Sequence, residues 1–378
     1  MCRDRLYCGG MERVLSTRAL NRATLERQLL LSRTDLSVVE VVEHLGGLQA
    51  QTPHTWYTGL WNRLRDFDPH EASALLEDRT LVRLALQRST IHLVTARDAL
   101  AMRPLLDPVT ERMTRSTFVR RLDGVDLDEL AEVGRKLAEE RALTFAELGA
   151  ALAARWPGND AHALSQVVRW LVPLVQVPPR GLWGRGGPVA HTSAQAWLQL
   201  DEPPMTAAEL VLRYLRAFGP ASVKDAQTWS GLTRLAEVVE GLDLVRYRGE
   251  DGRVLYDLPG LESPPEDMPV PVRFMYDFDN AFIGHADRSR VITEEGVAVS
   301  AAFAKANVQW RLILVDGFTA GDWTVARAKG TTTLTIHQWR PFAARDLDAA
   351  VAEGERLLAF LAPRDRHEIV PAVGASRA

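Results

Sequence analysis

Gln49 and Gln51, two glutamines one residue apart, are the side chains whose types and spacing best suit joint chemistry. They follow a pair of glycines, which predicts a helix end, and they precede Pro53, which disfavours helical geometry at the residue before it. In an extended segment, residues i and i+2 point to the same side. One amide carbonyl can then orient a water while an NH2 group holds a second atom. On spacing alone, a solvated loop whose amides cap backbone groups is the favoured alternative.

Other kinds of catalytic site are poorly supported. The histidines that could bind a metal are scattered without paired-ligand spacing, at His44, His54, His92, His285 and His337. The sequence has no GxSxG elbow and no GxGxxG segment after a strand. The glycines between residues 181 and 187 lack the Lys-Ser/Thr ending of a phosphate-binding loop, so we interpret them as a wing tip. We therefore expect neither a metal nor a cofactor.

Charge is unevenly distributed along the chain, whose net charge is -4. Residues 1–122 carry 18 arginines, no lysine and 14 acidic residues, a balance of +4. Residues 123–378 carry 27 basic and 35 acidic residues, a balance of -8. Because nucleic-acid binding needs a local basic face rather than a basic total, this distribution is compatible with DNA as a partner.

The N-terminal decapeptide contains both cysteines of the chain, Cys2 and Cys8. The remainder therefore cannot form a disulfide framework. Met11 opens a more plausible first element, so either Met1 or Met11 is the true start, and residues 1–15 are expected to be flexible. We find neither a secretory pattern nor a run of membrane-spanning length, which predicts a cytoplasmic protein without a membrane partner.

The first predicted folding unit spans residues 16–122. An amphipathic helix is expected over residues 17–32, and a shorter helix ends at Gly46. Another helix is predicted over residues 69–78, and the β-branched, apolar run 84–93 predicts a strand. Helices followed by paired strands are typical of a winged helix, which docks on duplexes.

This pattern repeats in two further predicted units, residues 123–202 and 203–261. Each contains an S/T-x-x-E capping box, beginning at Thr144 and at Thr206, roughly sixty residues apart. Each box is followed by helices and a hairpin. Three tandem winged helices fit this series better than one large sheet.

Residues 262–378 begin with a proline-rich, acidic linker. Short strands separated by tight turns are expected at residues 272–282, 297–302, 311–315, 324–328 and 333–338. An amphipathic helix is predicted over residues 346–361, and the tail after Pro363 is expected to be mobile. The predicted fold class is mainly α with small β elements (α+β), in which three winged helices precede a small antiparallel β unit.

Five segments carry a family resemblance: HLGGLQAQTP (44–53), RLALQRSTIHLV (83–94), FDNAFIGHADRSRVI (278–292), LVDGFTAGDW (314–323) and LTIHQWRPF (334–342). Through them the chain resembles the AlkZ/YcaQ family of bacterial DNA glycosylases over nearly its whole length. In the AlkZ branch, two glutamines around a small apolar residue form the catalytic signature, whereas the YcaQ branch has Asp at the second position. Gln51 places the chain closer to the AlkZ branch. The resemblance implies catalytic roles for Gln49 and Gln51 and a C-shaped body with a concave DNA-binding face.

The same resemblance implies a monofunctional glycosylase that hydrolyses the N-glycosidic bond of bulky, cationic N7-alkylguanines and gives self-resistance to a genotoxic natural product. Some members also unhook interstrand crosslinks. Alkylation at N7 gives guanine a positive charge and weakens the bond, so neutral amides can suffice. A bulky adduct does not pass easily into a snug base pocket, so ordinary base flipping is not expected. The expected partner is double-stranded DNA containing alkylated guanine, bound by a monomer.

The residues that we expect to contact DNA are Arg18, Arg22, His54, Arg88, Thr90, His92, Lys329, His337, Gln338 and Arg340. The first two share the polar face of the first helix, where a solvated face is the alternative. Three others alternate along the predicted strand 84–93, and His337 and Gln338 belong to a hairpin that probes a groove. Their alternative is a structural role within the sheet.

A non-catalytic winged-helix regulator or a damage-binding protein is the main rival, because such folds bind duplexes without chemistry. A dimer on a palindromic site favours the regulator. A monomer that releases a free modified base favours the glycosylase.

Overall fold

The computed structural model describes residues 13–305 and 310–376, and the strands within these ranges form three β-sheets. The fold combines helices with small, mostly antiparallel sheets, which confirms the α+β class. Predictions about Cys2, Cys8 and Met11 lie outside the described residues. None of the helices in the described ranges is long and apolar enough to cross a lipid bilayer.

The first part contains, in order, β1 (Val14–Leu15), α1 (Thr17–Arg27), α2 (Val38–His44), β2 (Leu48–Gln49), α3 (Trp56–Trp61), α4 (Pro69–Glu77), β3 (Leu81–Ala85), β4 (Ile91–Thr95) and α5 (Ala96–Thr117). The predicted strand 84–93 is wrong, because a 3-10 turn at Gln87–Ser89 separates β3 from β4. Helix α5 was not predicted, and two prolines, Pro104 and Pro108, lie inside it.

The second part contains α6 (Leu127–Glu140), β5 (Leu143–Thr144), α7 (Phe145–Arg155), α8 (Ala161–Leu171), β6 (Leu174–Gln176), β7 (Ala190–Ser193) and α9 (Ala194–Leu198). Its strands join those of the first part in one six-stranded sheet, in the order β2-β4-β3-β6-β7-β5. The junction is antiparallel, and Arg83 of β3 lies opposite Gln176 of β6. The six-stranded sheet therefore contains strands from both sides of the predicted boundary after residue 122.

The third part contains α10 (Ala207–Phe218), α11 (Val223–Ser230), α12 (Leu235–Glu240), β8 (Val245–Gly249) and β9 (Val254–Asp257). The capping boxes predicted at Thr144 and Thr206 are both formed. β1 pairs in parallel with β8, so the prediction that residues 1–15 are flexible is wrong at Val14 and Leu15. The winged-helix character of these parts and the C shape stay predictions.

The last part contains β10 (Arg273–Phe274), α13 (Asn280–Ile283), α14 (Glu294–Lys305), β11 (Leu312–Val315), β12 (Phe318–Ala328), β13 (Thr331–Gln338), α15 (Ala344–Leu361) and β14 (Arg366–Val373). The strand predicted over 297–302 is wrong, since these residues lie in α14. The prediction of a mobile tail after Pro363 is wrong for Arg366–Val373, because these residues form β14, which pairs in parallel with the whole of β13. The predicted strand 272–282 contains only the short β10, followed by α13.

Buried polar contacts fasten the last part to the first. Asn21 of α1 donates hydrogen bonds to the carbonyl oxygens of Arg290 (2.7 Å) and Gly317 (2.8 Å). Arg63 and Asp279 form an ion pair of 2.9 Å in which both side chains are fully buried. Both parts therefore take part in positioning the segment that contains the two glutamines.

Candidate functional site

The glutamine loop, residues 46–51, turns directly from helix α2 into strand β2. Gly46 and Gly47 have φ values of +64° and +94°, which residues other than glycine rarely adopt. A Cβ added at Gly47 would lie 2.6 Å from Cγ1 of Val94, so the loop packs closely on β4. Gln49 then lies opposite His92 in the β2–β4 pair. The predicted extended segment is present, although only its first two residues are assigned to a strand.

Buried side chains hold four carbonyl oxygens of the glutamine loop. The four donors are Gln87 to Gly46 (2.9 Å), Asn280 to Gly47 (2.8 Å), the Tyr276 hydroxyl to Gln49 (3.2 Å) and Arg83 to Ala50 (2.7 Å). Two donors come from the β3–β4 region and two from the last part of the chain. Because each bond fixes a peptide orientation, the backbone that carries the two amides is held from both sides.

Arg83 is the unusual member of this set. Its side chain is 2% exposed, and its Nε and one terminal nitrogen have no hydrogen-bond partner among the described residues. Burial, together with the nearby positive charge of Arg180, lowers the pKa of Arg83 to about 10. A buried cation without an anion destabilises the fold, so the bond to Ala50 is maintained at an energetic cost.

The two glutamine amides are oriented by their partners. Oε1 of Gln49 accepts from Arg88 at 2.9 Å, and Oε1 of Gln51 accepts from the backbone N–H of Ile91 at 3.2 Å. An N–H group can bond only to the amide oxygen, so each NH2 group points away from these donors. Each oxygen keeps a second lone pair for a water molecule. Gln49 is 6% exposed whereas Gln51 is exposed, so Gln51 is the amide more open to solvent.

Arg88 connects the glutamines to the third part of the fold. It occupies the turn between β3 and β4 with a φ of +55°, and it donates both to Gln49 and to the carbonyl oxygen of Trp229. Burial and the nearby charge of Arg288 lower the pKa of Arg88 to about 10. The guanidinium nevertheless stays charged at neutral pH. It therefore places a positive charge at the Gln49 oxygen.

Two predicted DNA contacts, Arg22 and His92, are wrong because the protein encloses their side chains, and a third, Gln338, is nearly buried. Arg22 is fully buried and pairs with Asp316 at 2.6 Å. His92 is 2% exposed, and burial with the nearby charge of Arg88 lowers its pKa to about 3. Gln338 is 5% exposed and accepts a hydrogen bond from the backbone of Phe342. Arg22 and His92 are therefore unavailable to a phosphate or a base edge, whereas Gln338, which is about as exposed as Gln49, stays a prediction.

The remaining predicted contacts stay predictions. Lys329 is exposed in the turn that joins β12 to β13. Arg18 and Arg340 reach solvent but form ion pairs with acidic neighbours, at 2.7 Å and 3.0 Å. The other four are partly buried and bonded within the protein: Arg88 to Gln49 and the Trp229 carbonyl, Thr90 to the Gln87 carbonyl, His54 to the Leu182 and Arg185 carbonyls, and His337 to Thr324.

Sequence reasoning missed Arg83 and Tyr276 as supports of the loop, and it missed Arg185, which is exposed near its edge. Asn280 and Arg288 were interpreted from the sequence as part of either a structural polar cluster or a site wall, with the structural role favoured, and Asn280 does support the loop. Arg83, Asn280 and Arg288 lie in segments that carry the family resemblance, whereas Tyr276 and Arg185 do not. Long-range hydrogen bonds to backbone carbonyls have no spacing pattern that a single sequence displays.

Comparisons with known proteins identify relatives of this chain. The model of the family described as "DNA glycosylase AlkZ-like" matches residues 42–360. An "Interstrand DNA cross-link repair glycosylase" from Streptomyces sahachiroi is 26% identical over 334 residues, which cover 80% of this chain and 85% of that protein. The solved structure of Streptomyces sahachiroi DNA glycosylase AlkZ has a TM-score of 0.74 at 20% identity, covering 95% of this chain and all of that one. At this identity, the structural match shows the fold.

Proposed function

The chain belongs to the AlkZ-like family of DNA glycosylases, and we propose that it hydrolyses the N-glycosidic bond of cationic, bulky N7-alkylguanine in duplex DNA, including interstrand crosslinks. The similarity to the Streptomyces sahachiroi cross-link repair glycosylase supports the inclusion of crosslinks. The paired amides support the cationic leaving group. We further propose that the activity protects host DNA against an alkylating natural product.

The observation that carries this proposal is the arrangement of two neutral amides on one braced loop. Gln49 and Gln51 each accept an N–H bond from the protein and turn their NH2 groups away from it. Neither amide can act as the general acid that protonates a departing neutral base at neutral pH. Such a site suits a base that leaves without protonation, as an N7-alkylated guanine does because it already carries the charge.

In the proposed mechanism, Gln51 orients the attacking water through the free lone pair of its carbonyl oxygen. Gln49 donates a hydrogen bond from its NH2 group to a second atom of the reacting site. Arg88 strengthens that donor because its bond to the amide oxygen draws electron density towards the oxygen. As the bond to the base lengthens, positive charge develops on the sugar and the base leaves neutral. The water adds to C1′ and loses its proton to bulk solvent, which leaves an abasic site.

The test is a panel of duplexes that carry N7-methylguanine, a bulky N7-alkylguanine or an N7–N7 crosslink, scored for abasic sites by alkaline cleavage. We expect wild-type protein to release the modified base, and Gln51→Ala and Gln49→Ala to slow release by about 30- to 1,000-fold, by analogy with loss of one oriented donor. Gln195→Ala, an exposed glutamine on α9, is the matched control.

Native rates in both glutamine variants would remove the catalytic assignment. Equal cleavage of uracil, an uncharged lesion, would contradict the requirement for a cationic base. Tight lesion binding without any abasic product would favour the damage-binding alternative.

A further inference from the structure

A pocket of about 350 Å³ opens beside the glutamine loop, and we name it the aromatic pocket. Its walls include His54, Thr58, Trp183, Tyr276, Arg311 and Trp323. A cavity of this size lies within the range of small-molecule sites, which are mostly apolar with a few polar groups. It is not part of the contact that the two glutamines make with the sugar.

The aromatic pocket is adjacent to the glutamine loop. His54 follows Gln51 by three residues, and three residues of chain span at most ~11 Å. Tyr276 contributes its ring to the pocket and its hydroxyl to the 3.2 Å bond with the Gln49 carbonyl oxygen. The pocket therefore lies next to the glutamine loop, with the Tyr276 side chain as the wall that they share.

The pocket walls favour flat, apolar groups. Three of its lining side chains are aromatic, and the guanidinium of Arg311 lies 5.2 Å from the Trp323 ring centre. The walls that the described residues form include no Asp, Glu, Asn or Gln side chain. Carboxylate and amide oxygens are good acceptors for the N1–H and N2–H2 groups of guanine, and the lining that the structure describes lacks both. The pocket therefore suits a substituent better than it suits the guanine itself.

The aromatic walls are also fixed in place. Trp323 donates its indole N–H to the Met275 carbonyl oxygen at 2.9 Å. Tyr276 packs so closely on α3 that a Cβ added at Gly59 would lie 2.6 Å from its ring. The imidazole of His54 bonds to two backbone carbonyl oxygens. A preformed pocket loses little entropy on binding and discriminates by shape.

We propose that the aromatic pocket binds a planar aromatic substituent carried on N7 of the alkylated guanine. This inference rests on the proposed function and specifies its substrate class. The substituent stacks between the indole of Trp183 and the Tyr276–Trp323 side. Arg311 donates to oxygen atoms on the ring system, because its guanidinium forms no ion pair among the described residues.

The experiment compares duplexes that carry N7-methylguanine, N7-benzylguanine and N7-(cyclohexylmethyl)guanine, with each rate divided by its uncatalysed depurination rate. Benzyl and cyclohexylmethyl groups are similar in size, but only benzyl is planar. We expect wild-type kcat/KM to favour benzyl over cyclohexylmethyl by about two- to ten-fold, the contribution of one aromatic pair. Trp183→Leu keeps apolar volume and removes the flat face, so it should abolish this preference.

Trp197→Leu is the matched control, since Trp197 is a half-buried indole, covered by Arg79 at 4.2 Å, that does not line the pocket. It should keep the wild-type preference. If Trp183→Leu does not fold, Thr55→Leu replaces it, because the larger side chain fills the cavity and should likewise abolish the preference for benzyl. The Thr55 side chain makes no capping bond on α3, so the fold should tolerate this change. Equal wild-type rates on benzyl and cyclohexylmethyl lesions overturn the pocket assignment while leaving the glycosylase intact. Absence of excision on all three lesions overturns the proposed function instead.

Discussion

The guanidinium of Arg83 donates a 2.7 Å hydrogen bond to the carbonyl oxygen of Ala50, the residue between the two glutamines. No acidic side chain pairs with Arg83 within the described ranges, and two of its nitrogens remain without hydrogen-bond partners there. Stability alone does not explain a buried cation of this kind. We therefore assign Arg83 a positioning role, in which it fixes the peptide that sets the angle between the two amides.

Replacing Arg83 should reduce activity more than stability. We expect Arg83→Met to lower kcat by at least about ten-fold, since a small displacement of catalytic groups is costly, with little change in KM. Arg83→Lys should restore part of kcat because lysine can still donate to Ala50. The free energy of unfolding of Arg83→Met, measured in urea, should stay near that of the wild type.

Arg63→Met is the control for that comparison. Arg63 is also fully buried but is paired with Asp279, so its loss leaves an unpaired carboxylate and should cost about 3–5 kcal/mol of stability. If Arg83→Met unfolds as readily as Arg63→Met, the positioning role of Arg83 is not supported.

Arg88 and Gln49 should act as one unit. Arg88→Met removes the positive charge at the Gln49 oxygen, and we expect kcat on N7-methylguanine to fall by about ten-fold, the effect of roughly 1.4 kcal/mol. The Arg88→Met/Gln49→Ala double variant should be little worse than Gln49→Ala alone, because contacting residues are not additive. Fully multiplicative losses in single-turnover kinetics would show that the two side chains act independently.

The excision rate should be nearly flat between pH 5.5 and 8 at saturating DNA. The two amides do not titrate, and the pKa values of Arg88 and His92 lie far from this window, at about 10 and about 3. Asp277 is the nearest carboxylate by contact, since it accepts a 2.5 Å bond from Thr52 beside Gln51. If the rate instead rises ten-fold per pH unit, and Asp277→Asn abolishes that rise, the chemistry belongs to that carboxylate.

Stability should fall as the medium becomes acidic. Burial lowers the pKa of His92, His191 and His285 to about 3, 4 and 3 in the folded protein. Above pH 6.5 these histidines are neutral in both states and contribute nothing. Below it the unfolded chain binds protons that the folded chain does not, so each histidine removes up to about 1.4 kcal/mol per pH unit. The urea midpoint should therefore decrease from pH 6.5 to pH 4.5, and less steeply in His191→Gln; an identical slope in that variant would contradict the assignment.

Lys329 provides the simplest test of the β12–β13 hairpin. If this exposed lysine meets a phosphate, Lys329→Glu should weaken binding to damaged and undamaged duplexes alike. It should also reduce the slope of log K against log salt by about 0.9. Lys136→Glu, an exposed lysine on α6 outside the predicted contacts, is the control. Unchanged salt dependence in Lys329→Glu would remove the hairpin tip from the interface.

Local signals in the sequence predicted local structure well. The Thr144 and Thr206 caps, the end of α2 before the glycine pair, and the extended segment at Gln49 all depend on neighbouring residues and were found. The Val-Ala-Val alternation at residues 297–299 predicted a strand, but such small residues also fit a helix, and α14 forms there.

Interactions between distant residues could not be predicted. Arg22 was placed on a phosphate-binding face because arginine on an amphipathic helix is usually exposed, yet Asp316 and two backbone carbonyls of the last part enclose it. The support of Ala50 by Arg83 depends on a sheet that brings together two residues 33 positions apart in the sequence. A single sequence does not display either relationship.

The antiparallel junction between β3 and β6 has a consequence for how the chain can be divided. A fragment that ends near residue 122 would leave the edge of β3 unpaired, with free N–H and C=O groups open to another chain. Arg83, opposite Gln176 in that junction, would lose its enclosure at the same cut. A fragment with only the first unit would therefore lack part of the support of the two amides. An active minimal fragment or chimera must retain the strands up to Ser193. It must also retain Tyr276 and Asn280, which the last part of the chain supplies.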